Sequence, residues 1–211
     1  MKTDQLIEIL SRNVEPVKPV HLQKTLVWAL LAGGVGAFGV MLGTVGLRPD
    51  GLPHLEFLSL RLVFTFSLIA IGAASLARLI RPGQRAGKLA ALTVLPFLVM
   101  IAGGAIAIGF GGPMAWGRML FGMNWMTCLL CIPLFAVPPF IALIWFLRDG
   151  APTSLRLTGA IAGLLAGALG ATAYAFHCPD DSVPFIVFWY VSMIGLCSLV
   201  GALLGPKLLR W

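Results

Sequence analysis

The chain has 211 residues, of which 59% are hydrophobic and 11% are charged, and its net charge is +7. Together with a mean hydropathy of +0.95, this composition excludes a soluble domain with a charged, solvated surface and indicates an integral membrane protein. We expect no direct contact with nucleic acid, because the chain has no soluble basic face that would bind it.

The first 24 residues are predicted to form an amphipathic helix followed by a proline-containing linker. Thr3 or Asp4 can cap this helix, and its apolar stripe has helical spacing: Leu6, Ile7, Ile9, Leu10 and Val14. Pro16 and Pro19 end the helix and keep the linker extended. Because so short a helix is marginal in water, we expect it to lie on the membrane surface or to dock on a soluble protein.

Residues 25–211 are predicted to form an all-α bundle of six transmembrane helices. The uncharged runs are 25–47, 62–77, 89–117, 119–147, 157–176 and 182–206. A bilayer-crossing helix needs about 20 residues, and the second run reaches this length as 58–79 if the side chain of Arg61 snorkels outward. The connections between spans are short, and residues 111–122 are expected to form an outer loop.

The distribution of basic residues predicts that both termini are cytoplasmic. Of the 15 lysines and arginines, 12 fall on the side of the N-terminus, and only Arg48, Arg61 and Arg118 fall on the other side. Loops rich in lysine and arginine stay in the cytoplasm, so the net charge of the chain is a topology signal.

Small residues are predicted to set the helix packing. Gly159, Gly163 and Gly167 recur at intervals of four in the fifth span, which favours close helix contact. A homodimer formed through the same glycine faces is a further alternative. Three prolines in the fourth span, at 133, 138 and 139, are interpreted as a bend.

Four cysteines are the candidates for chemistry. The predicted topology puts Cys128 one to two turns below the outer end of the fourth span, with Cys131 one turn deeper. Cys178 follows the outer end of the fifth span, where Pro179 stops the helix. Cys178 is therefore placed to meet a cysteine of the fourth span on the oxidising side of the membrane. Cys197, in the inner half of the last span, is expected to be a packing residue.

Three uses of Cys128 and Cys178 follow from this placement. They are a structural disulfide, a reversible redox switch and a soft-metal site of two thiolates. The accessory groups nearby are Cys131, His177, Asp180 and Asp181. A fourth interpretation is that the cysteines are unpaired and serve only in packing.

A membrane thiol-disulfide oxidoreductase is the main alternative function. It would use Cys128 and Cys131 as its redox pair, Cys178 as a relay and a quinone as electron acceptor. A single C-x-x-C within an apolar helix is a weak signal for this chemistry, and the sequence offers no polar quinone pocket. A small permease is the third and less favoured alternative. Transport sites in membranes commonly use charged residues, and none is expected deep inside a span.

Several stretches together resemble the negative regulator of sigma-F family. They are MKTDQLIEILS, Cys128 ten residues before the Pro138–Pro139 pair, LRDGAPTSLRLTGAIAGLLAGALGATAYAFHCPDDS, FWY and the terminal GALLGPKLLRW. The family comprises six-span anti-sigma factors of the bacterial inner membrane, which hold an extracytoplasmic-function sigma factor inactive. The resemblance implies that this chain is such a regulator and not an enzyme.

The resemblance also implies roles for particular residues. The N-terminal segment would contribute to holding the sigma factor, and two periplasmic-side cysteines, matched here by Cys128 and Cys178, would respond to heavy-metal or oxidative stress. Cys131 departs from the family pattern. No cofactor is required, and a soft heavy-metal ion would act only as a transient inducer. We therefore expect a two-state switch that binds the sigma factor at rest and releases it after metal binding or cysteine modification.

Overall fold

The computed structural model describes residues 3, 5, 22–48, 54–81, 87–111, 116–122, 125–148, 150, 152 and 154–209. These residues form eight helices longer than one turn and no strand, which confirms the all-α prediction. The helices are α1 (Leu22–Thr44), α2 (Leu55–Leu79), α3 (Gly87–Leu92), α4 (Val94–Gly111), α5 (Trp116–Phe121), α6 (Trp125–Arg148), α7 (Leu155–Ala175) and α8 (Val183–Leu208). Thr3 and Gln5 are also helical, but the predicted apolar stripe of the N-terminal segment lies outside the described residues.

Six stretches of helix are long and apolar enough to cross a membrane, as predicted. The third of them, Lys88–Phe110, consists of α3 and α4. These two helices are separated at Thr93, whose backbone N–H and hydroxyl both donate to the carbonyl of Ala90, at 3.2 and 2.6 Å. By contrast, α6 remains one helix through its three prolines. The predicted outer loop 111–122 is corrected, because it contains the short helix α5.

Helix α7 lies at the centre of the bundle, and its glycines explain why. A Cβ atom added at Gly163 would meet the carbonyl oxygen of Cys197 and would lie 3.1 Å from the Cα of Gly201. A Cβ at Gly167 would lie 2.9 Å from the Cβ of Cys197. These glycines let the backbones of α7 and α8 approach closely, which supplies packing that hydrophobicity cannot supply in lipid. The predicted glycine contact is confirmed, and Cys197 packs in it.

A second close contact joins α1 to α6. A Cβ at Gly33 would lie 2.7 Å from the Cα of Pro139, and one at Gly36 would lie 2.9 Å from the Cβ of Pro138. Gly33 and Gly36 of α1 therefore pack directly against Pro139 and Pro138 of α6. Gly39 is also in α1, but nothing lies within 4 Å of the position where its Cβ would be.

The two ends of the bundle have distinct surroundings. Leu26 near the start of α1 and Leu209 after α8 belong to one buried cluster. We call this end of the bundle, where the chain enters α1 and leaves α8, the terminal end. Cys128 and Cys178 belong to a second buried cluster at the opposite end, which we call the cysteine end. Large apolar side chains such as Val35, Phe110 and Trp145 face outward, as expected of a surface that bilayer hydrocarbon covers.

Candidate functional site at the cysteine end

The structure brings Cys128 and Cys178 into one buried cluster. Cys128 lies in the first turn of α6, and Cys178 lies in the loop 176–182 between α7 and α8. Both side chains are 0% exposed. Cys131, one turn further along α6, belongs to the same cluster, and all four cysteines are free thiols in this structure. The arrangement is that of a reduced pair shielded from water.

The loop that carries Cys178, residues 176–182, continues the last turn of α7. The backbone N–H groups of His177 and Cys178 both donate to the carbonyl of Tyr174 at 3.0 Å. Pro179 cannot donate a backbone hydrogen bond, so this helical hydrogen bonding cannot continue past Cys178. The Nδ1 atom of His177 lies 3.0 Å from the carbonyl oxygen of Gly46. Because that oxygen only accepts, Nδ1 carries a proton and is not available as a metal ligand in this conformation.

Aromatic side chains form the wall of the cluster. The ring of Tyr174 packs against Phe135 and Tyr190, with ring centroids 6.4 and 6.2 Å away. Within the described part of the chain the Tyr174 hydroxyl has no hydrogen-bond partner, although it is placed to donate to a Cys178 thiolate. The buried Tyr190 hydroxyl also finds no partner among the residues that the structure describes. A negative charge at Cys178 would satisfy the Tyr174 hydroxyl.

Arg61 is the residue of this site that sequence reasoning missed. It lies in α2, one and a half turns from the start, and its side chain is 0% exposed. Its guanidinium donates to the carbonyls of Ala175 (3.4 Å), Cys178 (3.3 Å) and Asp180 (2.5 Å) and to Oδ1 of Asp181 (3.2 Å). The prediction that Arg61 snorkels outward is corrected, because the backbone and the carboxylate that follow α7 take the place of water.

Asp181 is shared between two arginines. Its Oδ2 accepts a hydrogen bond from Nη1 of Arg48 at 3.0 Å, and its Oδ1 faces Arg61. The backbone N–H of Arg48 also donates to the carbonyl of Phe176 at 3.4 Å. The loop is thereby joined to the segment after α1 and to α2. The signal in the sequence was a single arginine near the start of an otherwise apolar run.

Burial raises the pKa of the Cys178 thiol, and the Arg61 guanidinium opposes this shift. Because the burial effect is the larger one, Cys178 stays protonated at neutral pH in the closed loop. A protonated, buried thiol reacts slowly with oxidants and metal ions. Reaction at Cys178 therefore requires the loop to open or a ligand that replaces the proton.

A resident metal centre would have few ligands here. No group of three or more histidine, cysteine, aspartate or glutamate side chains within the described ranges is arranged to hold a metal ion. Asp181 is bound by arginines and His177 by Gly46. Of the remaining groups, a soft ion prefers the thiols of Cys128 and Cys178, because it prefers sulfur ligands.

Comparison with known proteins identifies the family. The chain matches the family model described as Negative regulator of sigma F over residues 10–211. It is 37% identical to the probable anti-sigma-F factor NrsF of Azospira oryzae and 34% identical to the anti-sigma-F factor NrsF of Caulobacter vibrioides. Each alignment covers 100% of both chains. No solved structure matches the chain.

These relatives are regulators and not enzymes, which confirms that prediction and removes support from the oxidoreductase alternative. The match extends through all six membrane-spanning stretches and includes Cys128 and Cys178. The chain belongs to the Negative regulator of sigma F family.

Proposed function

We propose that this protein is a multi-pass anti-sigma factor of the bacterial inner membrane that holds an extracytoplasmic-function sigma factor at the cytoplasmic face. The observation that carries the proposal is the full-length similarity to two proteins described as anti-sigma-F factors. The 12 basic residues on the side of the N-terminus support a cytoplasmic location for both termini. A sigma factor would then meet the terminal end of the bundle.

The proposed docking element is the segment 1–24. Its apolar stripe suits a groove on a soluble partner: Leu6, Ile7, Ile9, Leu10 and Val14. The segment leads directly into α1, so a partner bound there would be tethered to the membrane by a short linker. The lipid bilayer is the second partner, and it covers the outward-facing apolar side chains of the bundle.

The proposed sensing element is the pair Cys128 and Cys178 at the periplasmic side. An oxidant would take two electrons and two protons from the thiols, and one sulfur–sulfur bond would form. A soft metal ion would instead displace both thiol protons and form two metal–sulfur bonds. A disulfide would bond the two sulfurs to each other and a metal ion would bond both, so either change would fix the first turn of α6 to the loop after α7.

The contact between α1 and α6 supports a route from the sensing element to the docking element. Cys128 and the prolines that face Gly33 and Gly36 are all in α6. α1 continues into the docking segment. A change in the tilt of α6 would therefore be passed to α1 through this contact. Release requires the two states of the bundle to differ in their affinity for the sigma factor.

Capture of the sigma factor from gently solubilised membranes tests the docking part. Leu6→Asp combined with Leu10→Asp puts charge into the apolar stripe and is expected to reduce co-purified sigma factor by at least about tenfold. Ser11→Asp adds a charge beside the stripe and serves as the matched control. Equal capture by the wild type and the Leu6/Leu10 variant would show that the segment does not hold the sigma factor.

Induction tests the sensing part. Cells that carry a sigma-dependent reporter are treated with cadmium or dichromate. Cys128→Ser combined with Cys178→Ser is expected to bind the sigma factor but not to release it, whereas Cys197→Ser should respond like the wild type. Normal release from the double variant would contradict the cysteine mechanism, whatever its affinity for the sigma factor.

A further inference from the structure

We propose that Arg61, Arg48 and Asp181 form a latch that keeps the Cys178 loop, residues 176–182, closed, so that Arg61 is a positioning residue for access to the cysteine pair. The significance of the latch for signalling rests on the proposed function, whereas its effect on the loop does not. The proposal rests on the hydrogen bonds and ion pair by which the fully buried Arg61 holds the loop. The proposed chemistry of the cysteines does not itself explain this arginine.

Arg61 is well suited to hold this loop. The last carbonyls of a helix have no partners within the helix and form its negative end. Arg61 reaches the carbonyl of Ala175 at the end of α7 and those of Cys178 and Asp180 beyond it. The guanidinium carries five N–H donors in a planar fork, so one side chain serves several acceptors at once. A lysine would carry its three donors on one nitrogen and would lack the planar fork that spans these acceptors.

Asp181 completes the latch from the loop side. Its two carboxylate oxygens receive one arginine each, Arg61 from α2 and Arg48 from the segment after α1. Arg48 and Asp181 lie at the edge of the buried region, with side chains 13% and 12% exposed. The loop is therefore fastened to two separate parts of the bundle through one carboxylate. Loss of Arg48, or of the charge on Asp181, loosens the attachment without removing the buried Arg61.

The closed latch accounts for the shielding of Cys178. Its side chain is 0% exposed, and Arg61 binds the carbonyl of the same residue. A water-soluble reagent can reach the sulfur only while the loop is locally open. When closing is fast relative to the reaction, the labelling rate is proportional to the fraction of time that the loop is open. The strength of the latch thus sets how readily Cys178 responds.

The test measures how fast a neutral reagent, N-ethylmaleimide, modifies Cys178 at fixed pH. The full-length protein is used in detergent with Cys128, Cys131 and Cys197 changed to serine. Arg48→Gln and Asp181→Asn are each expected to raise the labelling rate about tenfold or more, because each removes a charge-assisted hydrogen bond from the loop. Glu56→Gln is the matched control, since it neutralises an exposed carboxylate at the same end of α2 and should leave the rate unchanged.

The pair of variants separates a latch from a purely electrostatic effect on the thiol. Neutralising Arg48 removes a positive charge and would slow labelling, whereas neutralising Asp181 removes a negative charge and would speed it. A latch predicts acceleration in both cases. In the double variant, the labelling rate should rise by less than the product of the two single increases, because the two changes remove the same ion pair.

Rates within twofold of wild type in both variants, or changes of opposite sign, would overturn the latch. The melting temperature of each variant is measured alongside, and if Asp181→Asn does not fold, the direction of the Arg48→Gln change decides the matter. Faster labelling without easier release of the sigma factor would leave the latch in place and count against the proposed function. Unchanged labelling would remove the latch and leave the proposed function as it was.

Discussion

The contact between α7 and α8 gives the sharpest prediction for stability, through the substitution Gly163→Ala. The added methyl group would overlap the carbonyl oxygen of Cys197, with the carbonyl carbon of the same residue at 3.0 Å. Both obstacles are backbone atoms of the neighbouring helix, so no side-chain rotation relieves the overlap. The helices must move apart, and neighbouring contacts along the seam weaken.

The magnitude follows from the cost of overpacking, which is typically about 1–3 kcal/mol for an inserted carbon atom in a well-packed interior. For a chain of this length, each kcal/mol lowers the melting temperature by about 2–4 °C. We therefore expect Gly163→Ala to melt about 2–12 °C below the wild type in detergent. Tryptophan fluorescence during a temperature ramp measures this change without modifying the cysteines.

Gly195→Ala is the matched control for this experiment. Gly195 lies in α8, and nothing is within 4 Å of the position of its added Cβ. Alanine favours a helix over glycine, so the control should melt at or above the wild-type temperature. Equal melting of Gly163→Ala and Gly195→Ala would refute the argument that the backbones of α7 and α8 are in close contact at Gly163.

The remaining predictions concern the contact between α1 and α6, the buried arginine and the fourth cysteine. Gly36→Ala should alter inducer-dependent release of the sigma factor severalfold, because its Cβ would lie 2.9 Å from Pro138, whereas Gly39→Ala should have no effect in the same reporter assay. Arg61→Met should lower the free energy of unfolding by about 2–4 kcal/mol, since several acceptors lose their donor, and Arg61→Lys should recover only part of it in denaturant titrations. Restoring Cys197 in the serine-substituted protein should leave the rate of labelling at Cys178 unchanged.

The membrane-spanning helices and their packing faces were predictable from the sequence. Uncharged runs identify spans because a helix in lipid must satisfy its own backbone and present apolar side chains. The glycines of α7 indicated a close contact because small residues at intervals of four lie on one face. Both signals are local, and each depends on neighbouring positions in the chain.

The surroundings of Arg61 were not predictable in this way. Its acceptors lie 114–120 residues further along the chain, so the pairing depends on how α2 and α7 pack. Hydropathy gives the length of a span but not its rotation about its own axis. An arginine near a span end has two outcomes, solvent or a protein acceptor, and only the tertiary structure distinguishes them. The break at Thr93 was missed for a related reason, because the run around it is uniformly apolar.

Helix geometry indicates how a small change at the cysteines would reach the cytoplasm under the proposed function. Pro138 and Pro139 lack backbone N–H groups, so α6 lacks two helix hydrogen bonds where α1 contacts it. Leu22 lies 14 residues before Gly36, or about 21 Å along α1 at 1.5 Å per residue. A tilt of α1 by about 5° around Gly36 would move Leu22 by about 2 Å. A hundredfold loss of affinity for the sigma factor corresponds to about 2.8 kcal/mol, which one misaligned apolar anchor of the docking segment is enough to supply.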